Sequence, residues 1–355
     1  LYGEVSPYSA TRLERFAACA FAHFLQYGMK LTERVEYEFK PMDMGNVMHE
    51  ALESFAEEVR KRGMKWTELT EQERNEIADR CLDNIVADYG NTVLKSSARN
   101  EYMIERTRRI LRRTVWALQK QLEQGEFQPE GFEVTFGGGR IDRVDIMEDQ
   151  NKVYVKVIDY KTGNTSFDLV YLYHGLQLQL MIYLDGALRV EQKKYPDKDI
   201  IPAGVFYYNI KDPMIQEKID ADVEAVSAGL MKELKMNGLA QADPELVYRM
   251  DSSLGSIPVA FNKDGSFRKN SSVADRTQFA VLGRYVRTKI EKIRSSILEG
   301  DAEVSPYELG KKNACTYCPY MTVCGFDRRL SGYEFRRLKN FSDEELWKAF
   351  DREAE

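Results

Sequence analysis

Two groups of residues in this 355-residue chain are spaced to do chemistry. The first is Gly139-Arg-Ile-Asp142-Arg-Val-Asp145, followed after eleven residues by Val157-Ile-Asp159-Tyr160-Lys161-Thr-Gly163. Side chains on a strand alternate with period two, so Asp159 and Lys161 leave the same face. A carboxylate closing the apolar run of Val153, Val155 and Val157 is costly unless something binds it. An antiparallel neighbour carrying Asp142 or Asp145 would add a second carboxylate, and such a pair is a hard oxygen site suited to Mg2+ or Mn2+. A lysine beside them holds an attacking water or offsets charge on a phosphate transition state. Asp142 and Asp145 are three apart and point to opposite faces of a regular strand, so only one joins Asp159 unless a bulge intervenes. Strand parity does not choose between them. The competing reading of Asp-x-Lys is an ordinary exposed ion pair.

The second group is cysteine. Three of the five cysteines fall within ten residues, as Cys315-x2-Cys318-x5-Cys324, in a segment that contains a proline. Thiolates so spaced converge on one metal centre, a zinc ion or a cubane iron–sulfur cluster, and either wants a fourth ligand. Cys81 repeats with Ile77 and Ile85 at helical spacing and reads as a small core residue. Cys19, among aromatics, is the better fourth ligand, with His23 its rival if the metal is zinc. Spacing does not separate the two metals. A Cys19 ligand would staple the first turns of the chain to residues near 320 and couple metal binding to folding.

The elements that must position these groups follow from periodicity. Residues 1–125 read as helical: about 12–27 capped by Ser9 or Thr11, then Gly45–Arg62 ended by Gly63, Glu71–Tyr89, and Glu101–Gln124. The last helix carries Arg106, Arg108, Arg109, Arg112 and Arg113, a solvated face in the bland reading and a phosphate-tracking edge in the sharper one. Beyond Gly125 the period changes to two. Phe132–Phe136, a turn at Gly137-Gly138-Gly139, Arg140–Met147 and Lys152–Ile158 form a three-stranded meander. A long helix over Leu169–Val190, a strand over Pro202–Tyr208, helices over Ala221–Met236 and Arg276–Leu298, a polar loop or hairpin over Asp251–Ser272, and a capped helix over Ser342–Ala354 complete an α/β core. There is no phosphate-binding Gly-x4-Gly-Lys-Ser/Thr and no nucleophile–histidine arrangement.

Composition narrows the class. Hydrophobic residues make up 43% and charged residues 30%, an ordinary globular mixture that excludes disordered and fibrous folds. A net charge of −6 argues against a wholesale basic coat for nucleic acid, while leaving room for a local basic channel. Five cysteines are too few, and the wrong parity, for a disulfide scaffold. The first residue is Leu1 and no apolar leader follows, which reads as a piece of a longer protein.

Taken together the motifs resemble those of the PD-(D/E)XK nucleases, in their RecB-like branch with an iron–sulfur cluster. Gly-Arg-Ile-Asp142 and Asp159-Tyr160-Lys161 stand with Gly45-x3-His49, Gln179-x3-Tyr183 and the set Cys19, Cys315, Cys318, Cys324, in that family's order over about residues 8–330. Where the family usually has Pro after the first cysteine, this chain has Ala20. The resemblance implies a restriction-endonuclease-like core, a mixed central sheet flanked by helices, over 126–300. A helical region over 1–125 would carry Cys19 and His49, and a cysteine region over 301–355 would pack back on the N-terminus. It implies that Asp142 and Asp159 are ligands of Mg2+ or Mn2+, with His49 a third and the Tyr160 carbonyl a fourth. Lys161 would be the catalytic lysine. Gln179 and Tyr183 would face the site, with Gln177 the weaker substitute for Gln179. The four cysteines would hold a structural [4Fe–4S] cluster. The implied activity is that of a DNA exonuclease acting mainly on single strands, within a cytoplasmic helicase–nuclease that processes double-strand break ends for recombinational repair. A partner subunit would supply much of the DNA contact. The alternative is a non-catalytic, metal-stapled scaffold that binds DNA or docks a helicase. Retention of both carboxylates and the lysine separates the two. On residues alone, His49, His23 and His174 read as packed side chains.

Overall fold

A computed structural model describes residues 9–32, 41–88, 97–137, 139–215 and 222–354. Tyr89, Gly138 and Ala221, named in the expected elements, lie outside them. Helix α1 (Ala10–Ala18) starts at Ser9, whose side chain accepts from the Arg12 N–H, and stops at Cys19, where the backbone is extended (φ −167°, ψ 117°). The expected single helix over 12–27 is therefore interrupted. A short helix α2 (Ala20–His23) and a π-helical turn (Phe24–Gly28) follow. The Phe21 N–H bonds the Glu303 carbonyl, so the chain leaves the break already tied to the C-terminal region.

Next come α3 (Pro41–Lys61), α4 (Glu71–Asp88) and α5 (Ala98–Glu123). Their apolar stripes, including Val47, Met48, Leu52, Phe55, Ile77, Leu82, Leu111 and Leu118, pack as one layer. The arginines of α5 do not form a free edge. Arg108 bonds Asp83, Arg112 pairs with Asp79, and Arg109 bonds Asp212 at 2.5 Å. Arg106, Arg109 and Arg112 stay exposed, as the solvated-face reading expects, and the ion pairs join α5 to α4 and to the segment at Asp212.

Strands β1 (Gln128–Phe136), β2 (Gly139–Asp149) and β3 (Lys152–Lys161) form the expected antiparallel meander. The expected helix over 169–190 is two, α6 (Leu169–Tyr173) and α7 (Gln179–Lys194). Gly175, at φ +78°, turns the chain between them in a conformation that L side chains rarely adopt. These helices carry the crossover to β4 (Asp199–Asn209), which lies parallel to β3. Helix α8 (Val223–Glu233), β5 (Asn237–Gln241), α9 (Pro244–Met250) and the two-residue β6 (Val273–Ala274) complete a mixed sheet in the order β1-β2-β3-β4-β5-β6. The polar stretch 251–272 is a loop closed by one bridge, Phe261↔Phe267. Helix α10 (Arg276–Leu298) leads to a small sheet of β7 (Tyr307–Leu309), β8 (Lys312–Asn313) and β9 (Arg336–Arg337), with α11 (Met321–Cys324) inside the cysteine segment and α12 (Asp343–Ala354) last.

The sheet has a core on each face. Met147, Tyr154, Ile158, Tyr160, Phe206 and Tyr208 pack toward α3–α5, whereas Val153, Val155, Val157, Val205 and Tyr207 pack toward α7, α10, α12 and α1. This is the mixed α/β architecture expected. No helix among the described residues is long and apolar enough to cross a membrane.

Candidate active site

The question of parity is answered by a local irregularity of β2 at Asp142. Ile141 and Val144, three apart, both pack on the α7 face, so regular alternation fails between them. Beyond the Arg143↔Ile158 pair β2 no longer pairs with β3. The Asp142 carboxylate fills the gap, accepting the Tyr160 N–H at 2.7 Å. Asp142 is thereby brought beside Asp159 and to the residue whose carbonyl was expected at the site. Asp145 goes elsewhere. It is fully buried on the other face, bonded twice to Arg143 (2.6 and 2.9 Å) and paired with Lys156 at 3.1 Å. Within this buried group the two cations offset the Asp145 charge, and removing one partner would leave a buried charge uncompensated.

Around Asp142 the expected residues gather. His49, on α3, places Nδ1 3.4 Å from Asp142 Oδ2. Lys161 Nζ lies 2.6 Å from Asp159 Oδ2 and donates to Gln179 Oε1 at 2.7 Å. Gln179 Nε2 donates in turn to the Tyr183 hydroxyl at 2.9 Å, one turn along α7. Gln177 is not an alternative. It accepts from the Asp168 N–H and donates to the Ser166 carbonyl, closing the loop after β3.

One residue at the site was not anticipated. Glu133, on β1, brings Oε1 to 3.8 Å from His49 Nδ1 and also pairs with Arg140. Ligand-type atoms of His49, Glu133 and Asp142 all lie within 4.8 Å of one another. The signal was available in the hairpin. With Phe132 opposite Arg143 and Val134 opposite Ile141, counting across the strands sets Glu133 against Asp142. Two like charges so placed repel unless a cation or a histidine lies between them.

The electrostatics fit a divalent cation. Burial raises the Asp159 carboxyl to about 7, the charge of Asp142 adds to this, and Lys161 opposes it. Burial alone would depress His49, but Asp142 and Glu133 outweigh it and hold the imidazole up at about 10. The set is thus short of positive charge, which the histidine, Lys161 and, at Glu133, Arg140 supply in part. Oxygen and imidazole donors in this arrangement suit a hard or borderline divalent ion.

The cysteines form a separate site. Cys19, Cys315, Cys318 and Cys324 line one small pocket, closed by Phe21, Pro306, Tyr320 and Phe326. Burial pushes the Cys315 thiol up to about 11, and the other three sulfurs add to the shift. His23 takes no part. It is fully buried, accepts from Arg12 Nε at 3.2 Å, and sits against Phe16 and Tyr27. His174 bonds the Lys339 carbonyl, and Cys81 is buried in the α3–α5 layer.

The mixed central sheet flanked by helices is consistent with a PD-(D/E)XK nuclease fold. The chain belongs to the PD-(D/E)XK nuclease superfamily, whose pattern covers residues 7–325. It is 43% identical over its whole length to the B subunit of the ATP-dependent helicase/deoxyribonuclease of Lachnoclostridium phytofermentans, and 35% identical to the protein of the same name from Thermoanaerobacter sp. strain X514. It spans 32% and 33% of these relatives, about a third of their length.

Proposed function

We propose that the chain is the nuclease region of a helicase–deoxyribonuclease subunit and hydrolyses phosphodiester bonds of DNA, mainly single-stranded, in the processing of double-strand break ends. Its partners would be DNA and the other, AddA-like, subunit of such a complex, in the bacterial cytoplasm. The observation that carries the proposal is that His49, Glu133 and Asp142, from three elements, bring ligand-type atoms within 4.8 Å of one another, with Asp159 and its partner Lys161 close enough for their charges to be felt there.

Asp142, Asp159 and His49, with the Tyr160 carbonyl, would hold Mg2+ or Mn2+, and Glu133 is placed to join them. The bound ion supplies Lewis acidity toward water and toward a non-bridging phosphate oxygen. Lys161, fixed by Asp159 and Gln179, presents an ammonium that orients the attacking water or offsets charge on the transition state. The Tyr207 ring lies 5.3 Å from Lys161 Nζ, within cation–π range, and Tyr183 holds the Gln179 amide that accepts from the lysine. Cys19, Cys315, Cys318 and Cys324 would hold a [4Fe–4S] cluster with a structural role. Four cysteines lining one small pocket suit such a cluster as they would suit zinc, and the cluster reading follows from the resemblance of the motifs. In this reading 126–300 is the nuclease core and 301–355 the cluster segment, while 1–125 is a helical region whose α3–α5 pack on one face of the sheet and whose α1 packs on the other.

The test is Asp159→Ala. It should abolish Mg2+-dependent cleavage of end-labelled single strands while circular dichroism and Tm stay near those of the parent. Cleavage at the parent rate would refute the assignment.

A further inference from the structure

Helix α7 begins without a side-chain cap of its own, because the residue at its N-cap is Leu178. The first N–H groups of a helix have no intrahelical partner. Here two of them are taken from across the molecule. A single oxygen, Glu14 Oε1, accepts the N–H of Leu178 at 2.7 Å and that of Gln179 at 2.9 Å. Glu14 lies on α1, five residues before Cys19. The contact is not a surface accident. Leu13 and Ala17, on the same helix, are buried with Leu178 and Leu180 in the core shared by α1, α7 and α10. Burial raises the Glu14 carboxyl to about 7, while the two N–H groups and the charge of Lys161 favour its ionised form.

What Glu14 holds matters. Gln179, the first residue of α7, bonds Lys161 through its side chain and Glu14 through its backbone. We propose that Glu14 is a positioning residue for the reaction: it pins the first turn of α7, and through Gln179 the ammonium of Lys161, to the helix that ends at the cysteine site. The proposal rests on the reading of Lys161 as the reacting lysine. It assigns Glu14 no contact with substrate. It also gives the cysteine pocket a physical route to the lysine, by way of α1, Glu14, Gln179 and Lys161, with every link after the helix a hydrogen bond.

The experiment is a double-substitution cycle in the iron-loaded chain, cutting end-labelled single-stranded DNA with Mg2+. Glu14→Ala should lower kcat by about tenfold or more with KM within about twofold, the pattern of a group that acts on the transition state and not on binding. Glu14→Gln keeps an oxygen that accepts both N–H groups and should recover kcat to within about threefold. In a Gln179→Ala background Glu14→Ala should cost less than about twofold more, because residues acting through one another are not additive. An independent readout needs no turnover. In metal-free protein, acetylation of Lys161 followed by mass spectrometry should be severalfold faster in Glu14→Ala. A Glu14→Ala chain with parental kcat overturns the proposal. So do losses that multiply with Gln179→Ala, activity that falls only in step with Tm and iron content, and unchanged Lys161 acetylation. Continued cutting by Lys161→Ala would instead overturn the reading of the lysine, and the acetylation result separates the two failures.

Discussion

Asp159 and His49 carry opposite burdens for the same reason. Each is buried among groups that resist its charge or demand it. Asp159 and Glu14 are both raised to about 7, and His49 to about 10. A group whose pKa is raised on folding contributes stability in full below its unfolded value, and loses it as pH climbs through the folded one. All three therefore act in one direction. The buried His23, held down at about 4, acts the other way up to about pH 6.5, so with EDTA present the carboxyls should show as a fall in Tm between about pH 6.5 and 7.5. Asp159→Asn should make the fall shallower, and added Mg2+ should reverse it, since a cation favours the ionised carboxylates. Thermal melts across that range check this, and a Tm rising with pH in EDTA would contradict it. At this scale much was legible. Asp-x-Lys on a buried strand announced a cost that only a ligand removes. Asp142 against Asp145 was not legible from parity, because the choice depends on a local irregularity in β2. Glu133 was hidden because its meaning lies across the hairpin and not along the chain.

The elements were read well where one period ran without interruption. The meander of β1 to β3, the helices α3 to α5 and α10, and the strand β4 follow from apolar spacing. The errors came at single residues that interrupt a pattern. Leu169–Val190 carries a helical apolar pattern throughout, yet Gly175 lets the chain turn and set Gln179 at a helix start, where its backbone N–H is free to meet Glu14. Cys19 breaks α1 in the same way without a glycine. Short strands such as β5 and β6 hold too few residues for alternation to show. Gly175→Ala tests the first point. Its φ is +78° and a Cβ there would lie 3.2 Å from the Ala17 methyl. The substitution should cost more than about 1 kcal/mol in urea unfolding, beyond the usual gain from restricting the unfolded chain. An unchanged midpoint would mean the turn is not needed to separate α6 from α7.

At the scale of the molecule, the sheet is a partition. One face carries the helical layer with His49, the other the helices that carry Glu14, Gln179 and Tyr183, and the reacting groups meet where β2 parts from β3. The cysteine pocket joins α2 to the segment after α10, and Tyr320 completes it by donating its hydroxyl to the Leu31 carbonyl at 3.0 Å. Replacing Cys19, Cys315, Cys318 or Cys324 by Ser, one at a time, should lower iron per chain, bleach absorbance near about 400 nm and reduce Tm, because metal and fold are coupled. Cys81→Ala should leave iron content unchanged. Full iron in a Cys19→Ser chain would remove that residue from the set.

A cluster held by those four thiols would shut a loop of about 300 residues. The entropy of shutting a loop grows only as the logarithm of its length, about 0.6 kcal/mol for each doubling. The tether between the clasped ends is therefore free to lengthen. The match to the Lachnoclostridium relative, 378 aligned positions against the 355 residues of this chain, shows that this relative has extra residues somewhere within the aligned length. Length variation between the first and last cysteine is thermodynamically cheap, whereas a single residue inserted between Glu14 and Cys19 would rotate one anchor of α1 by about 100° against the other.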